Sequence, residues 1–443
     1  MKKLGLLVIL ITIIACHGAG KTEIEKGKNL YEAHCSSCHG DKGDGGGPVA
    51  KYLWPKPRNL TSGIFKYRTT RGAVPSDYDI LRTLKIGIPG TAMPGWDILP
   101  DTDWSAILAY IKTFSPGTFK DKPGPAIEIP QEKTDTPESK TEGAKLFATI
   151  GCVGCHGATG EGNGPAAGSL SDAWGDHVAP RNLAAGPLRW GNANNDIFRT
   201  LSAGIAGTPM PSYEQTLSPD QRWDLVHYVK SLQRLPQNYD PASPKRFLIS
   251  VGKISGELPE NPLDPVWDKM PEIPVFLKPL WSDPKATEWL TVKALANEDG
   301  IAFDLSWEDA NANLLATTSD SVALQFPLNA ISDPAKLPYL GMGHPDNPVH
   351  ISRWEPSQIT ESNAAGPGTL VIQTGAETQT TGQGIYQDGR WHVVVKRPLS
   401  TGETNDARIG KTGYVTFAVW NADLQRYPIP TSFSEWMIYE LKN

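Results

Sequence analysis

Two short stretches of this sequence place cysteine and histidine in the same order. Each has the pattern C-x-x-C-H, and the residues are Cys35, Cys38, His39, Cys152, Cys155 and His156. Such a triplet could contribute ligands to a zinc ion, form a disulfide or redox dithiol, or attach a haem. The surrounding residues have to separate these possibilities.

The segments that follow the two triplets are copies of each other. KPRNLTSG (56–63) recurs as APRNLAAG (179–186), and DILRTLKIGIPGTAMPGW (79–96) recurs as DIFRTLSAGIAGTPMPSY (196–213). Each copy carries a methionine, Met93 or Met210, 54 residues after the histidine of its triplet. The distance is constant although the loops between differ in length. This indicates two tandem modules with a fixed spatial relation between histidine and methionine.

The histidine and methionine favour haem over the alternatives. Cysteines three residues apart lie on one face of a helical turn, so both thiols can reach one porphyrin. The adjacent histidine and a distant methionine then supply the two axial ligands of the iron. A zinc site shared by both triplets leaves the repeated G-T-x-M-P unexplained, and no thioredoxin-like βαβ pattern accompanies a redox dithiol. We therefore predict two covalent c-type haems.

Residues 22–118 and 141–236 resemble class I cytochrome c domains. They share C-x-x-C-H-G, the M-P loop and a final amphipathic helix, at 103–114 and 220–232. The resemblance implies a small helical fold around one haem in each domain. It implies attachment through Cys35 and Cys38 with ligands His39 and Met93, and through Cys152 and Cys155 with ligands His156 and Met210.

Other repeated residues have two interpretations each. Arg58 and Arg181 of P-R-N-L either pair with haem propionates or are exposed loop arginines. Trp96 and Tyr213 either pack near the porphyrin or belong to the ordinary core. His227 lies in the middle of a predicted helix and is expected to be a surface or packing residue.

The N-terminal residues indicate export. Residues 1–15 have two lysines followed by an apolar run that is too short for an ordinary membrane span. Cys16 follows directly and resembles the lipidated cysteine of a bacterial lipoprotein; the alternative is a plain secretory signal. Both interpretations place the protein on the periplasmic side, and the first anchors it to the membrane. The net charge of −6 argues against a nucleic-acid partner.

The composition of the chain differs outside the two repeats. Residues 119–140, between the repeats, are rich in proline and charge and predict a semi-rigid linker. Residues 245–443 contain short runs of alternating apolar and polar residues separated by Asn, Asp, Gly and Pro. We predict a multidomain protein of two small all-α cytochrome c domains followed by an all-β antiparallel sandwich.

Three stretches of this last domain, at 258–277, 337–354 and 388–402, resemble a known haem b protein. It is the gamma subunit of molybdenum enzymes of the dimethyl-sulfoxide-reductase type, such as ethylbenzene dehydrogenase, chlorate and selenate reductases and nitrite oxidoreductase. The resemblance implies one non-covalent haem b with methionine and lysine ligands. Met342 is the methionine. Lys396 is the lysine, with Lys442, His344 and His350 as alternatives.

These features predict electron transfer rather than chemistry at the haem. Two complete ligand sets leave neither iron open to a substrate. The favoured function is a haem-carrying subunit that relays electrons between molybdopterin and iron–sulfur subunits of an oxidoreductase and other cytochromes. The alternatives are a di-haem cytochrome whose sandwich is a haem-free binding module, and a haem enzyme.

Overall fold

A computed structural model of the protein describes residues 20–240, 243, 247–315, 319–374, 379–403, 405–425 and 428–442. The predicted export signal and Cys16 lie outside these ranges. None of the helices within them is both long and apolar enough to cross a membrane.

The first half of the chain is helical and repeats the same order of elements. The helices are α1 (Lys21–His34), α2 (Ser36–His39), α3 (Asp77–Ile86), α4 (Asp101–Thr113), α5 (Pro137–Thr149), α6 (Cys152–His156), α7 (Asn194–Ala203) and α8 (Pro219–Leu232). Each triplet forms a short helix, and the predicted final helices are present as α4 and α8. Helix α8 begins with a capping box between Ser218 and Gln221 and with Pro219 in its first turn.

In each domain the first and last helices cross at a glycine. A Cβ atom on Gly27 of α1 would lie 1.9 Å from the carbonyl oxygen of Ala106 in α4. A Cβ atom on Gly143 of α5 would lie 2.0 Å from the carbonyl oxygen of Asp224 in α8. Only glycine allows the two backbones to approach this closely, so this crossing sets the frame that supports the triplet helix.

The segment 119–140 packs on both helical domains. Its backbone pairs with the first domain through Arg71 N to Pro125 O and Ile127 N to Thr69 O, both 2.9 Å. Lys133 then forms an ion pair with Asp224 of the second domain, at 2.7 Å. The charged and proline-rich composition therefore belongs to a connection that follows the domain surfaces.

The second half of the chain is a β-sandwich. The strands are β1 (Leu248–Lys253), β2 (Ile273–Pro279), β3 (Trp289–Ala296), β4 (Gly300–Glu308), β5 (Ser321–Pro327), β6 (Val349–Glu355), β7 (Gln358–Ala364), β8 (Val371–Ile372), β9 (Thr381–Gln387), β10 (Arg390–Pro398), β11 (Thr412–Trp420), β12 (Ser432–Ser434) and β13 (Met437–Leu441). One sheet has the order β8-β7-β6-β5-β11-β12 and the other β2-β3-β4-β10-β9, linked by the pairing of β12 with β2. The pairs are antiparallel except those of β1 with β13 and β3. The predicted fold class, two helical domains followed by an antiparallel β domain, is confirmed.

One apolar core fills the space between the two sheets. It includes Phe303 of β4, Leu324 of β5, Val393 of β10 and Phe417 of β11, each at most 1% exposed. The outer face of β4 and β10 is also buried, because Trp267 packs on it. This covering explains why β4 has buried residues on both faces rather than the alternation of a half-exposed strand.

The first helical domain and the sandwich share a second apolar core. Tyr31, Leu84 and Trp104 of the helical domain belong to the same buried cluster as Leu337 and Trp436 of the β domain. The Trp436 indole also donates to the carbonyl oxygen of Pro338, at 3.0 Å. The sandwich therefore docks on the first domain through an apolar contact.

Ion pairs join the two helical domains. Arg71 reaches both carboxylate oxygens of Glu214, at 2.7 and 3.1 Å. Arg82 reaches both carboxylate oxygens of Asp196, at 2.8 and 2.7 Å. Each is a two-pronged contact of the kind that arginine makes with a carboxylate, which fixes orientation as well as distance.

Candidate functional site

The first triplet lies on α2 and presents its histidine in a defined orientation. His39 Nδ1 is 2.9 Å from the carbonyl oxygen of Arg58, in the repeated P-R-N-L. Because a carbonyl oxygen can only accept, the Nδ1 atom that hydrogen-bonds to it carries the proton. The unprotonated Nε2 atom is then free to act as a metal ligand. Gly40 follows with φ of 76°, and this left-handed backbone ends the helix directly after the histidine.

The second triplet repeats this arrangement. His156 Nδ1 is 3.1 Å from the carbonyl oxygen of Arg181. Gly157 has φ of 75° and ends α6 at the same point as Gly40 ends α2. The arginines of P-R-N-L thus orient both histidines through their backbone carbonyls, a role that the side-chain pattern did not indicate.

The two methionine loops are also built alike. Met93 N donates to Thr91 Oγ1 at 3.3 Å, and Ile88 N donates to Met93 O at 3.0 Å. In the second loop, Met210 N lies 3.3 Å from Thr208 Oγ1 and Ile205 N donates to Met210 O at 3.1 Å. These hydrogen bonds give a physical reason for the repeated G-T-x-M-P.

The environment of the triplets suits iron ligation by neutral imidazole. Burial lowers the pKa of His39 and of His156, more than their backbone hydrogen bonds raise it. Burial raises the pKa of the Cys35 thiol to about 12, with Cys38 adding to the rise, and also raises the pKa of Cys152. A redox-active cysteine needs a lowered pKa, so these thiols do not match the dithiol alternative.

The cysteines of the two triplets form neither a disulfide nor a shared zinc site. Cys35, Cys38, Cys152 and Cys155 are free thiols. Within the described ranges, one cluster of three or more His, Cys, Asp or Glu is arranged to hold a metal ion, and it contains no cysteine. The two triplets therefore do not meet in a shared zinc site.

The second domain contains a mainly apolar cleft beside its triplet. Cys152, Cys155, His156 and Met210 all line it. The residues present therefore fit a covalent haem c: two thiols for attachment and two axial ligands, in a lining that is otherwise mainly apolar.

The other repeated residues have different surroundings in the two domains. Trp96 is buried and contacts the His34 ring, at 4.8 Å between centroids. Tyr213 lines the second cleft and lies against Cys152. The Arg181 guanidinium is held by Glu288 of the β domain, whereas Arg58 lies over the ring of Trp174, at 3.8 Å.

His227 is a packing residue rather than a surface residue. It is fully buried, with Nδ1 2.7 Å from Ser139 Oγ and Nε2 3.2 Å from Glu132. The Ser139 hydroxyl also donates to Asp224. This network ties α5, α8 and the segment before α5 together behind the second triplet.

The β domain contacts the first triplet directly. The Tyr339 hydroxyl is 3.4 Å from Cys38 Sγ. Gly95 N, two residues after Met93, donates to the carboxylate of Glu435, which also pairs with the buried Lys278 at 3.2 Å. Sequence reasoning missed both contacts because the partners are about three hundred residues apart along the chain.

Met342 lies near this contact, but the predicted lysine does not. Met342 has φ of 77° and packs on the shared cluster that also contacts Cys35 and Met93. Lys396 of β10 forms an ion pair with Glu260 and lies on the outer face of the other sheet. The structure does not bring Met342 and Lys396 together, so this pair does not fit a single haem iron.

The alternative second ligands also have other surroundings. Lys442 is exposed, and His344 is half exposed beside Asp346, at 3.6 Å. His350 is fully buried between Glu361 and Asp406, at 3.5 and 3.1 Å. Arg397 completes this group through its 2.8 Å contact with Asp406, so the cluster contains charges of both signs.

Comparisons with known families place these domains. The family described as cytochrome c matches residues 24–115 and again residues 141–233. The family described as ethylbenzene dehydrogenase matches residues 355–427.

Individual relatives are named as subunits of redox enzymes and complexes. The chain is 30% identical over 212 residues to a protein of Haloferax mediterranei named as a respiratory nitrate reductase haem subunit, covering 44% of this chain and 73% of that one. It is 28% identical over 221 residues to the CcoP subunit of a cbb3-type cytochrome c oxidase of Helicobacter pylori strain 52, covering 48% and 60%. Among solved structures, a chain of the reducing HAO-like complex of Kuenenia stuttgartiensis matches with 37% identity and a TM-score of 0.46, covering 47% and 96%.

Proposed function

Because this chain belongs to a family of respiratory haem subunits, with two tandem cytochrome c domains and a domain of ethylbenzene dehydrogenase type, we propose that it relays electrons between a molybdenum oxidoreductase and other redox carriers. Its homology to subunits of respiratory complexes gives it an electron-transfer role. The observation that carries the finer proposal is the repeated pair of an oriented histidine and a hydrogen-bonded methionine loop, which in the second domain line one cleft.

The residues of this chain divide the work in a simple way. The cysteines would attach the haem, and the P-R-N-L carbonyls bind Nδ1 of each histidine, which leaves Nε2 available as an iron ligand. The methionine loops supply a soft neutral ligand that raises the reduction potential. When bound, the haem supplies the one-electron chemistry. Two axial protein ligands leave no position for a substrate, which favours transfer over catalysis.

Contact between Tyr339 and Cys38 supports a route through the first domain. A covalently attached cysteine lies at the edge of its porphyrin, so the β domain touches the first haem site where electrons can pass. We assign the β domain the task of docking on the oxidoreductase. The export signal at 1–15 and a lipid anchor at Cys16 place the relay on the periplasmic side in this proposal.

Haem b in the sandwich remains a prediction. The ethylbenzene dehydrogenase match and the position of Met342 support it. The placement of Lys396 beside Glu260 favours the second candidate, a di-haem cytochrome with a haem-free sandwich that docks proteins.

One experiment tests both levels of the proposal. Purified full-length protein is analysed as its pyridine haemochrome before and after extraction with acid and acetone. We expect two haems that stay with the protein, and one fewer in a Cys152→Ala/Cys155→Ala variant. Fewer than two covalent haems in the unmodified protein contradicts the relay. One extractable haem supports haem b; none, in protein produced with ample haem, leaves the di-haem form.

A further inference from the structure

Three cations meet between the two cytochrome domains, and Asp172 is the acidic residue that attracts two of them, Arg58 and Lys66. Arg58 and Lys66 come from the first domain and Arg189 from the second. The Arg58 guanidinium lies on Trp174, Arg189 Nη2 donates to the carbonyl oxygen of Ala179 at 3.0 Å, and Arg189 Nε has no partner. Within the described ranges, no carboxylate is at ion-pair distance from any of the three.

Their surroundings make this arrangement costly. Burial lowers the pKa of Lys66 to about 7, repulsion from Arg58 and Arg189 adds to the effect, and the smaller attraction to Asp172 opposes it. Burial lowers the pKa of Arg58 to about 10 and also lowers that of Arg189. A buried cation without a partner costs several kcal/mol in general terms, so a site with three of them is suited to receive negative charge.

The cluster is produced by the repeat. Lys66 and Arg189 occupy equivalent positions, each eight residues after the arginine of P-R-N-L. The residues that follow them, Tyr67 and Trp190, stack in parallel across the domain boundary, with centroids 5.9 Å apart and planes 6° apart. Ala206 N also donates to the carbonyl oxygen of Lys66, at 3.0 Å. Equivalent surfaces of the two domains therefore face each other at this point.

Lys66 belongs to the first domain but lines the cleft of the second. The cleft wall includes Lys66 and Tyr67 together with Arg189, Cys152 and Met210. Arg181, for which propionate pairing was one of two interpretations, is held by Glu288. The free cations of this cleft thus come from both domains.

We propose that Lys66 and Arg189 form a carboxylate-binding site, shared between the domains, for the propionates of the haem attached at Cys152 and Cys155. This inference rests on the proposed function, since it requires that haem. A porphyrin attached through its vinyl groups carries two carboxylates, the anions that an otherwise apolar cleft lacks. Lys66 is then a positioning residue through which the first domain acts on the cofactor of the second.

The consequence is an effect across the domain boundary. A cation close to a haem favours the ferrous over the ferric state, because ferric iron carries one more positive charge. Removing the Lys66 charge should therefore lower the reduction potential of the second haem, although the substitution lies in the first domain.

The test uses the full-length protein in a Met93→His background. Replacing that methionine lowers the potential of the first haem, so the second haem titrates alone at high potential in spectroelectrochemistry. We expect Lys66→Met to move this high-potential wave downward and Lys66→Arg to leave it near its starting value. Lys120→Met removes a charge from an exposed lysine of the adjoining segment 119–140 and should not move this wave.

Arg189→Met supplies the second variant. A downward shift with both Lys66→Met and Arg189→Met supports the shared site. A shift with Arg189→Met alone, or with neither, overturns it, provided that each variant retains two covalent haems and the thermal transition of its parent. If Lys66→Met loses that transition, the propionate bands in resonance Raman spectra of the folded Lys66→Arg variant decide: unchanged bands overturn the proposal. Failure of the proposed function appears separately, as a covalent haem count below two.

Discussion

The ion pair between Arg181 and Glu288 joins the second cytochrome domain to the sandwich, and its removal has a calculable cost. Both side chains are largely buried, with 8% and 10% of their surfaces exposed. Arg181 reaches both oxygens of the Glu288 carboxylate, with Nη2 2.9 Å from Oε2. Arg181 Nε also donates to the carbonyl oxygen of Pro187, at 3.1 Å.

The perturbation is Glu288→Gln, which keeps the shape but removes the negative charge. Breaking a buried pair by removing one partner costs about 3–5 kcal/mol, because the remaining charge is left uncompensated. The glutamine oxygen still accepts one hydrogen bond from Arg181, and the bond to Pro187 is unaffected. We therefore expect the free energy of unfolding to fall by about 3 kcal/mol, near the lower limit, for the step that separates the second cytochrome domain from the sandwich.

The assay is urea unfolding followed by haem absorbance and tryptophan fluorescence in parallel. Two probes are needed because a chain with several domains need not unfold in one step. The matched control is Glu272→Gln. Glu272 pairs with Lys293 at 3.2 Å but is 65% exposed, so we expect a loss below about 0.5 kcal/mol.

Two results would refute this reasoning. One is a loss from Glu288→Gln no larger than that of the control. The other concerns the double variant Arg181→Met/Glu288→Met, which removes both charges and should recover much of the stability. If the double variant is less stable than Glu288→Gln alone, the buried charge left behind is not the source of the cost.

Two further perturbations test the pH response of the sandwich and the frame of the haem domains. Burial, reinforced by Asp320, raises the pKa of Asp309 to about 7. The folded state then binds this proton more tightly than the unfolded state, so stability is lost as pH rises from about 4 to 7. Asp309→Asn should stabilise the protein by up to about 4 kcal/mol at pH 8, and by little at pH 4; equal urea midpoint shifts at both pH values would exclude titration as the cause. Gly143→Ala forces a Cβ onto the carbonyl oxygen of Asp224 and should cost about 1–3 kcal/mol or more, whereas Gly168→Ala meets nothing within 4 Å and should be tolerated in a thermal melt.

The repeat made the paired arrangement of the histidines and methionine loops predictable from sequence. Two copies allowed the spacing between histidine and methionine to be checked against itself, and the hydrogen bonds of both methionine loops agree. The closing helices were predictable for a similar reason, since their apolar pattern recurs. Because P-R-N-L and G-T-x-M-P each occur twice, each motif could be checked against its second copy.

Other features had no signal of this kind. The strands β7 and β9 are polar along most of their length, and β2 contains two prolines, so alternation alone did not reveal them. The contacts of Tyr339 with Cys38 and of Glu288 with Arg181 join distant parts of the chain, and neither belongs to the repeat. The charge of the two P-R-N-L arginines likewise did not show that Arg181, rather than Arg58, would form the ion pair with the sandwich.

The ion pairs between the cytochrome domains, and the segment 119–140 that packs on both, affect the timing of electron transfer. Two domains joined by a flexible linker exchange electrons only after they diffuse into contact, so the rate of electron transfer falls as solvent viscosity rises. Here the domains are already in contact. The rate of exchange between the two haems should therefore be independent of solvent viscosity, and glycerol should slow only the encounter with external partners.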